Sequence, residues 1–532
     1  MSEVSSSAAA EVAAPERGRR TGRAGRRGRG SAAGSGSPPR LTQLPRRRVR
    51  NPFGPMRVLS DDQVEAIHRA SLRILSELGI EIMSSRALEM FAQAGAEIDR
   101  ASGVVRLDPA LVMELVGTAP ERFDLTPRDA ANAVPIGGDA VAFTLVAGPP
   151  NVHDAIRGRR AGSMADYEEL VRLAQVFNAI HMIGNQPVAP MELPANTRHL
   201  DTYLANLTQT TKSFHCTAIG AGRATDGVEM MAISRGITVE EMAASPGVTT
   251  IISVNSPRRF DGDMADGLVA MSERGQAVCI TPFTLMGAMS PVTLAGALAQ
   301  QNAEALFGVA LSQIVRPGAP VMYGAFTSNV DMKSGAPAFG TPENAKANIA
   351  SGQLARRYRL PYRTSPASAS NAADAQGAYE TMMSLWGAVL GGGNLVYHGA
   401  GWQEGGLTAS YEKLVMDVEM IQHMTEFLRP IEVSEESLGF EALAGVPTGG
   451  HFFGEPHTLA RYETAFYAPL LSNWMNHGAW TEAGAKDAFV RATETWQAAL
   501  REYERPTMEP DRLEALEAYV ARRREAIGSG EP

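Results

Sequence analysis

Between Tyr397 and Glu404 the chain places a phenol, an imidazole, an indole and a carboxylate in one short run, Tyr397-His398-Gly-Ala-Gly-Trp402-Gln-Glu404. Aromatic faces hold a quaternary ammonium by cation–π attraction, worth roughly 0.5–2 kcal/mol per contact. His215, Arg259, Tyr323, Phe326 and Asp331 stand in or just beyond other apolar runs and are the remaining candidates. A tyrosine or phenylalanine in such a run also serves as packed core, and His215 serves equally well as a satisfied core histidine. The cluster Tyr397, His398, Trp402 and Glu404 is more specific, because four such residues together seldom serve packing alone. No lysine falls inside a strand at a Schiff-base position: Lys212 precedes one run and Lys333 follows another. HxH, HExxH and CxxC spacings are absent, so no bound metal is expected.

These residues need elements to hold them. Apolar, β-branched runs recur near 140–147, 181–189, 213–219, 248–254, 277–285, 320–327, 361–366 and 394–398. Helical periodicity fills 165–178, 196–210, 223–236, 263–275, 293–315, 342–358, 375–391 and 409–428. Eight strand–helix units predict an α/β fold, a (β/α)8 TIM barrel, rather than an open sheet. Ala147-Gly-Pro-Pro150 after the first run is not a dinucleotide fingerprint. In a barrel the candidates collect at the C-terminal ends of the strands, where such enzymes do their chemistry. Those ends also carry Asn185-Gln186, Asn255 and Thr281-Pro-Phe-Thr284.

The expected organisation is a disordered basic arm over 1–50, an N-terminal α+β cap over 51–137, the catalytic barrel over 138–430 and a C-terminal helical extension over 431–532. Twelve arginines against three acids lie in the arm, so the rest of the chain carries −18 of the total −9. An acidic body of this kind is a poor candidate for a nucleic-acid-binding core. In the cap, Ser60-Asp-Asp-Gln63 reads as a capping box, Gly79 as a helix stop, and Ala101-Ser-Gly103 as a hairpin turn. Cys216 and Cys279 are expected as buried reduced thiols, and no apolar stretch is long enough for a membrane span. A cytoplasmic protein is expected.

Four segments carry a family resemblance. Pro282-Phe-Thr-Leu-Met-Gly-Ala-Met-Ser-Pro-Val-Thr-Leu-Ala-Gly296, Asp331-Met-Lys-Ser-Gly-Ala-Pro-Ala-Phe-Gly-Thr-Pro-Glu343 and Gly450-His-Phe-Phe-Gly-Glu-Pro-His-Thr-Leu459 are similar to trimethylamine:corrinoid methyltransferases, as is Tyr323-Gly-Ala-Phe326. The resemblance covers about 55–530 and implies a TIM barrel. Archaeal members carry pyrrolysine near the end of the seventh strand. Here the matching stretch, Ser365 to Gln376, puts the position near Ala367, so the chain resembles the non-pyrrolysine, glycine betaine methyltransferase-like branch. That branch implies methyl transfer from a quaternary amine such as a betaine to the Co(I) of cobalamin on a separate corrinoid protein. No Asp-x-His-x-x-Gly motif is present to hold the corrinoid in this chain.

Under this resemblance Tyr323, Phe326, Tyr397 and Trp402 line an ammonium pocket. His215, His398 or Arg259 contacts a substrate carboxylate, and Glu404 or Asp331 complements the cation. His215, His398 and Glu404 are the catalytic candidates, and His451 and His457 are candidates to close the mouth. A homo-oligomer is expected. The alternatives are a barrel methyltransferase with another methyl donor or acceptor, and a non-catalytic betaine- or corrinoid-binding barrel.

Overall fold

A computed structural model describes residues 41–528. Eight strands are mutually parallel: β1 (Ala140–Leu145), β2 (Met182–Ile183), β3 (Ser213–Phe214), β4 (Thr249–Val254), β5 (Ala277–Met286), β6 (Val321–Gly324), β7 (Tyr362–Thr364) and β8 (Leu395–Ala400). Hydrogen-bonded neighbours run β3-β2-β1-β8-β7-β6-β5-β4. A single parallel bridge joins His215, just past β3, to Thr249 at the start of β4, and the Cys216 N–H donates to the Thr249 carbonyl at 2.8 Å.

A helix follows each strand: α1 (Met164–Val176), α2 (Arg198–Gln209), α3 (Ala221–Arg235), α4 (Gly262–Glu273), α5 (Leu294–Val315), α6 (Pro342–Arg357), α7 (Ala375–Leu390) and α8 (Tyr411–Phe427). Side chains start many of them. Ser163, Asp261, Thr293, Thr341, Asp374 and Ser410 each accept from a first-turn N–H, satisfying donors the helix leaves open. The result is a mixed α/β architecture built on a parallel sheet.

Successive residues of a strand face opposite ways, and the core divides accordingly. Phe143, Ile183, Val278, Ile280, Val321, Tyr323, Tyr362 and Val396 join the large cluster shared with the helices. Their neighbours Ala142, Met182, Ala277, Cys279, Met322 and Tyr397 form a second cluster with the hairpin Phe123–Leu125 and Val134–Ile136. This alternation decides which side chains can reach a site on the face of the sheet turned away from the helices.

The N-terminal region forms as expected. Ser60 and Gln63 make the capping box, the helix Asp61–Arg73 continues through a π-helical turn to Gly79, and Gly103 turns the hairpin Glu97–Asp99 to Val104–Arg106 at φ +72°. The assignment of 41–50 to a disordered arm is corrected. Val49–Arg50 pairs with β1, the Leu41 N–H donates to Glu502, and the Leu44 N–H donates to Gln422. These bonds and the burial of Val49 fix the segment. The arginine-rich part before it lies outside the described residues.

At the other end, helix Ala488–Glu502 packs on α1 and α8, where the Trp496 indole donates to Glu412 at 2.9 Å. Helix Pro510–Gly528 covers α2 and α3, and the Tyr519 hydroxyl donates to Asp226 at 2.7 Å. Ahead of both, residues 431–476 form only short helices with almost nothing buried. Among the described residues no helix is long and apolar enough to cross a membrane.

Candidate active site

The C-terminal ends of the strands surround a cavity of about 330 Å³. Ala147 and Gly148 come from β1, Asn185 from β2, His215 and Thr217 from β3, and Ile251 and Ser253 from β4. Thr281 and Phe283 come from β5, Phe326 from the segment after β6, Arg363 from β7, and Tyr397, His398 and Trp402 from β8 and its exit.

Strand β8 is built to present two consecutive side chains to one space. An ordinary strand would turn Tyr397 inward and His398 outward. Here the register with β1 shifts between Val396 and Ala400, and His398 takes φ +60°. A bulge of this kind re-aims a side chain, and the left-handed backbone costs a non-glycine residue roughly 1–2 kcal/mol. The chain then reverses at Gly401, at φ +95°, whose N–H donates to the buried Asp417 carboxylate at 2.8 Å. Asp417 is itself paired with buried Lys413. The loop returns Trp402 over the cavity, where its indole donates to the Ser368 carbonyl at 3.0 Å. At Gly406, φ +103°, an added Cβ would lie 2.4 Å from the Trp402 ring, so only glycine lets the loop close on the indole.

The aromatic rings form one connected set. Phe326 lies 5.2 Å from Phe283, 5.8 Å from His398 and 5.8 Å edge-on from Trp402, and His398 lies 4.2 Å from Trp402. Phe339 stacks behind Phe326 at 5.0 Å. The Tyr397 hydroxyl accepts the Asn185 N–H at 2.6 Å, and the Asn185 side chain accepts from Thr217 at 2.8 Å.

The electrostatics are simple. The His215 Nε2 accepts the Ile251 N–H at 2.7 Å, so its proton sits on Nδ1, which has no partner. Burial, helped by nearby Arg363, holds the His215 imidazole down to about 3, and burial, helped by Arg363 and His215, holds His398 well below the ordinary histidine range. Both rings are neutral. Arg363, fully buried, lies over the Tyr397 ring at 4.8 Å and the Phe326 ring at 5.4 Å. Its Nη1 donates to the Ala325 carbonyl at 3.2 Å, while Nε has no partner. No aspartate or glutamate lines the cavity.

Of the residues singled out from the sequence, the fold brings His215, Phe326, Tyr397, His398 and Trp402 together here. Four others are corrected. Tyr323 belongs to the outward-facing half of its strand, where its hydroxyl donates to Asn302 at 2.9 Å and accepts from Gln301 at 2.8 Å. Arg259 pairs with Glu81 at 2.8 Å on the strand Arg259–Phe260 beside the N-terminal region. Asp331 is exposed and caps its own loop through the Lys333 and Ser334 N–H groups. Glu404 pairs with Arg159 at 2.9 Å and lies outside the cavity lining. His457 sits against the Glu436 carbonyl on the exposed 431–476 segment, and neither it nor His451 lines the cavity. Arg363 was passed over, although it is the one charged residue in the seventh apolar run. Phe283 and Asn185 stand at strand exits, and the sequence pattern alone gives them no role.

Ala367, near which the family resemblance puts the pyrrolysine position, is fully buried and is not part of the cavity lining. The cysteines are buried and free, with the Cys216 thiol pushed up to about 12 and Cys279 to about 11 by burial, so neither is a ready nucleophile. Among the described residues no cluster of three or more His, Cys, Asp or Glu side chains is placed to hold a metal ion.

The profile of the trimethylamine methyltransferase (MTTB) family matches residues 20–528. A glycine betaine methyltransferase of Desulfitobacterium hafniense strain Y51 is 34% identical over 472 residues, covering 88% of this chain and 98% of that protein. A trimethylamine methyltransferase of D. hafniense strain DSM 10664 / DCB-2 is 30% identical, covering 86% of this chain and 91% of its own. The crystal structure of the Methanosarcina barkeri monomethylamine methyltransferase superimposes with a TM-score of 0.47 at 10% identity, over 84% of this chain and 93% of that one.

Proposed function

The chain belongs to the trimethylamine methyltransferase family and is a methyltransferase, and we propose that it transfers a methyl group from a quaternary amine of the betaine type to a corrinoid held by a separate protein. The observation that carries this reading is a cavity walled by aromatic faces in which no carboxylate stands ready to act as acid or base. A quaternary nitrogen needs neither. When its N–CH3 bond breaks, the electron pair stays on nitrogen, and the leaving group is a neutral tertiary amine that requires no proton. A trimethylammonium group already carries the charge that makes nitrogen a leaving group, so pyrrolysine is dispensable in the stretch around Ala367.

The corrinoid, when presented, supplies the Co(I) nucleophile that accepts the methyl. A cavity of about 330 Å³ suits an amine of a few carbons but not a corrin macrocycle, which fits a cofactor brought to the rim by a partner. The chain's own residues then bind, orient and exclude water. Trp402 and Phe283 offer faces to the ammonium, the Gly401–Gly406 loop holds the indole across the cavity, and neutral His215 and His398 add no competing positive charge. Holding the methyl in line with its acceptor is the main catalytic contribution available to such a site.

For the frame, we read the eight strands as a closed (β/α)8 barrel. The His215–Thr249 bridge, the inner cluster of alternating residues and the gathering of every strand's C-terminal end around one cavity support this reading. We keep 51–137 as a cap, 138–430 as the catalytic unit and 431–532 as an extension. A homo-oligomer is supported by Ile431, Phe440, Phe453, Phe466 and Trp474, all more than two-thirds exposed on one segment. We assign the protein to the cytoplasm, in keeping with its two free cysteines.

The test is product analysis. With a reduced corrinoid protein and glycine betaine, mass spectrometry should find dimethylglycine in amounts matching the corrinoid supplied. Betaine binding with no demethylated product from any quaternary amine would instead indicate a binding protein.

A further inference from the structure

Resting on the methyltransferase reading, we propose that Arg363 is the specificity-determining residue of the cavity: it anchors a carboxylate on the substrate and thereby selects N-trimethylated amino acids over quaternary amines without an acid group. Arg363 is the single charged side chain lining the cavity. It is 1% exposed, yet the groups that act on its charge are Cys279, Tyr397 and Tyr362, with no carboxylate among them. Of the five N–H donors of a guanidinium, one reaches the Ala325 carbonyl and the Nε donor has no partner. A buried cation left in this state calls for an anion, and the guanidinium fork matches a carboxylate with two parallel hydrogen bonds. His215, with an unpartnered Nδ1–H in the same cavity wall, offers a second donor.

The spacing fits a short zwitterion. The guanidinium lies 5.4 Å from the Phe326 ring, and that ring lies 5.2 Å from Phe283 and 5.8 Å from Trp402. A carboxylate on Arg363 therefore leaves an ammonium one or two carbons away toward Phe283 and Trp402, the lining rings that Arg363 does not cover. The pair brings no net charge into the cavity. A bare quaternary ammonium brings a second positive charge beside Arg363 with nothing to offset it. At such separations and an effective dielectric near 20, this repulsion discriminates by about a hundredfold.

The experiment is calorimetric binding of glycine betaine and of tetramethylammonium to the full chain, without any corrinoid, for the natural protein, R363K and R363M. The natural protein should prefer betaine by about a hundredfold. R363M should weaken betaine by a similar factor while tetramethylammonium binds as well or better. R363K, with the charge but not the fork, should fall between. Equal affinity for the two ligands in the natural protein, or unchanged betaine binding by a folded R363M, overturns the proposal. If R363M does not fold by circular dichroism, the ligand comparison on the natural protein decides alone. Demethylation of tetramethylammonium as fast as betaine would remove the anchor and leave the methyltransferase reading standing. Arg363-dependent betaine binding with no methyl transfer would do the reverse.

Discussion

Replacing Trp402 by leucine isolates the part of the cavity assigned to the ammonium. Arg363 already covers faces of Tyr397 and Phe326, which leaves Trp402 and Phe283 as the faces open to a ligand cation. A tryptophan face over a desolvated ammonium is worth about 2 kcal/mol, so Trp402→Leu should weaken betaine binding about 30-fold. The same change also removes packing. Trp402 is 6% exposed, touches His398, Phe326 and Phe339, and gives its indole N–H to the Ser368 carbonyl. Truncation of so buried a ring should cost about 3 kcal/mol of stability. Trp402→Phe separates the two effects, because it keeps a ring over the cavity while losing the same hydrogen bond. Calorimetry should show a much smaller loss of affinity for Trp402→Phe than for Trp402→Leu, with melting temperatures lowered in both. A folded Trp402→Leu protein that binds betaine within twofold of the natural one would refute the aromatic-box reasoning.

Betaine affinity should stay flat from pH 5.5 to 8, because His215, near 3, and His398, well below its ordinary range, take up no second proton in that window; an inflection near 6.5 in a calorimetric titration would contradict this. Stability should behave differently: a buried histidine whose folded pKa lies below its unfolded value near 6.5 contributes fully above that value and loses about 1.4 kcal/mol per pH unit below it. His181, near 4, and His215 should therefore lower the melting temperature steadily between pH 6.5 and 4. Tyr397→Phe leaves the Asn185 N–H without its acceptor and should destabilise by about 1–3 kcal/mol, read as a lower melting temperature. Gly267→Ala would put a Cβ 2.1 Å from the Ala218 carbonyl oxygen, so α4 must leave the β3 exit; the cost should be about 3 kcal/mol, seen as a lower melting temperature or loss of soluble protein.

The repeating units were legible because parallel strands covered by helices read as apolar runs of regular spacing, and the structure places all eight strands and helices where that pattern puts them. Which side chains face the cavity was less legible. Tyr323 and Phe326 look alike in the sequence, yet Tyr323 sits at an outward position and bonds to α5, while Phe326 follows the strand and turns in. His398 reaches the cavity only because of a bulge, which depends on pairing between distant strands and leaves no local mark. Arg259, Asp331 and Glu404 stand where a charged residue beyond a strand exit was expected to matter, but each has a nearby partner that holds it away. Arg363 shows the opposite error. A lone arginine in an apolar strand is costly to bury, and that cost was the available signal for a ligand of opposite charge.

The most direct test of the central claim is the visible absorbance of a Co(I) corrinoid protein mixed with this chain and single methylated amines. Loss of the Co(I) band with glycine betaine or another carboxylated quaternary amine, and none with trimethylamine, is the expected result. A Co(I) band unchanged by every quaternary amine, or discharged by trimethylamine alone, would contradict it.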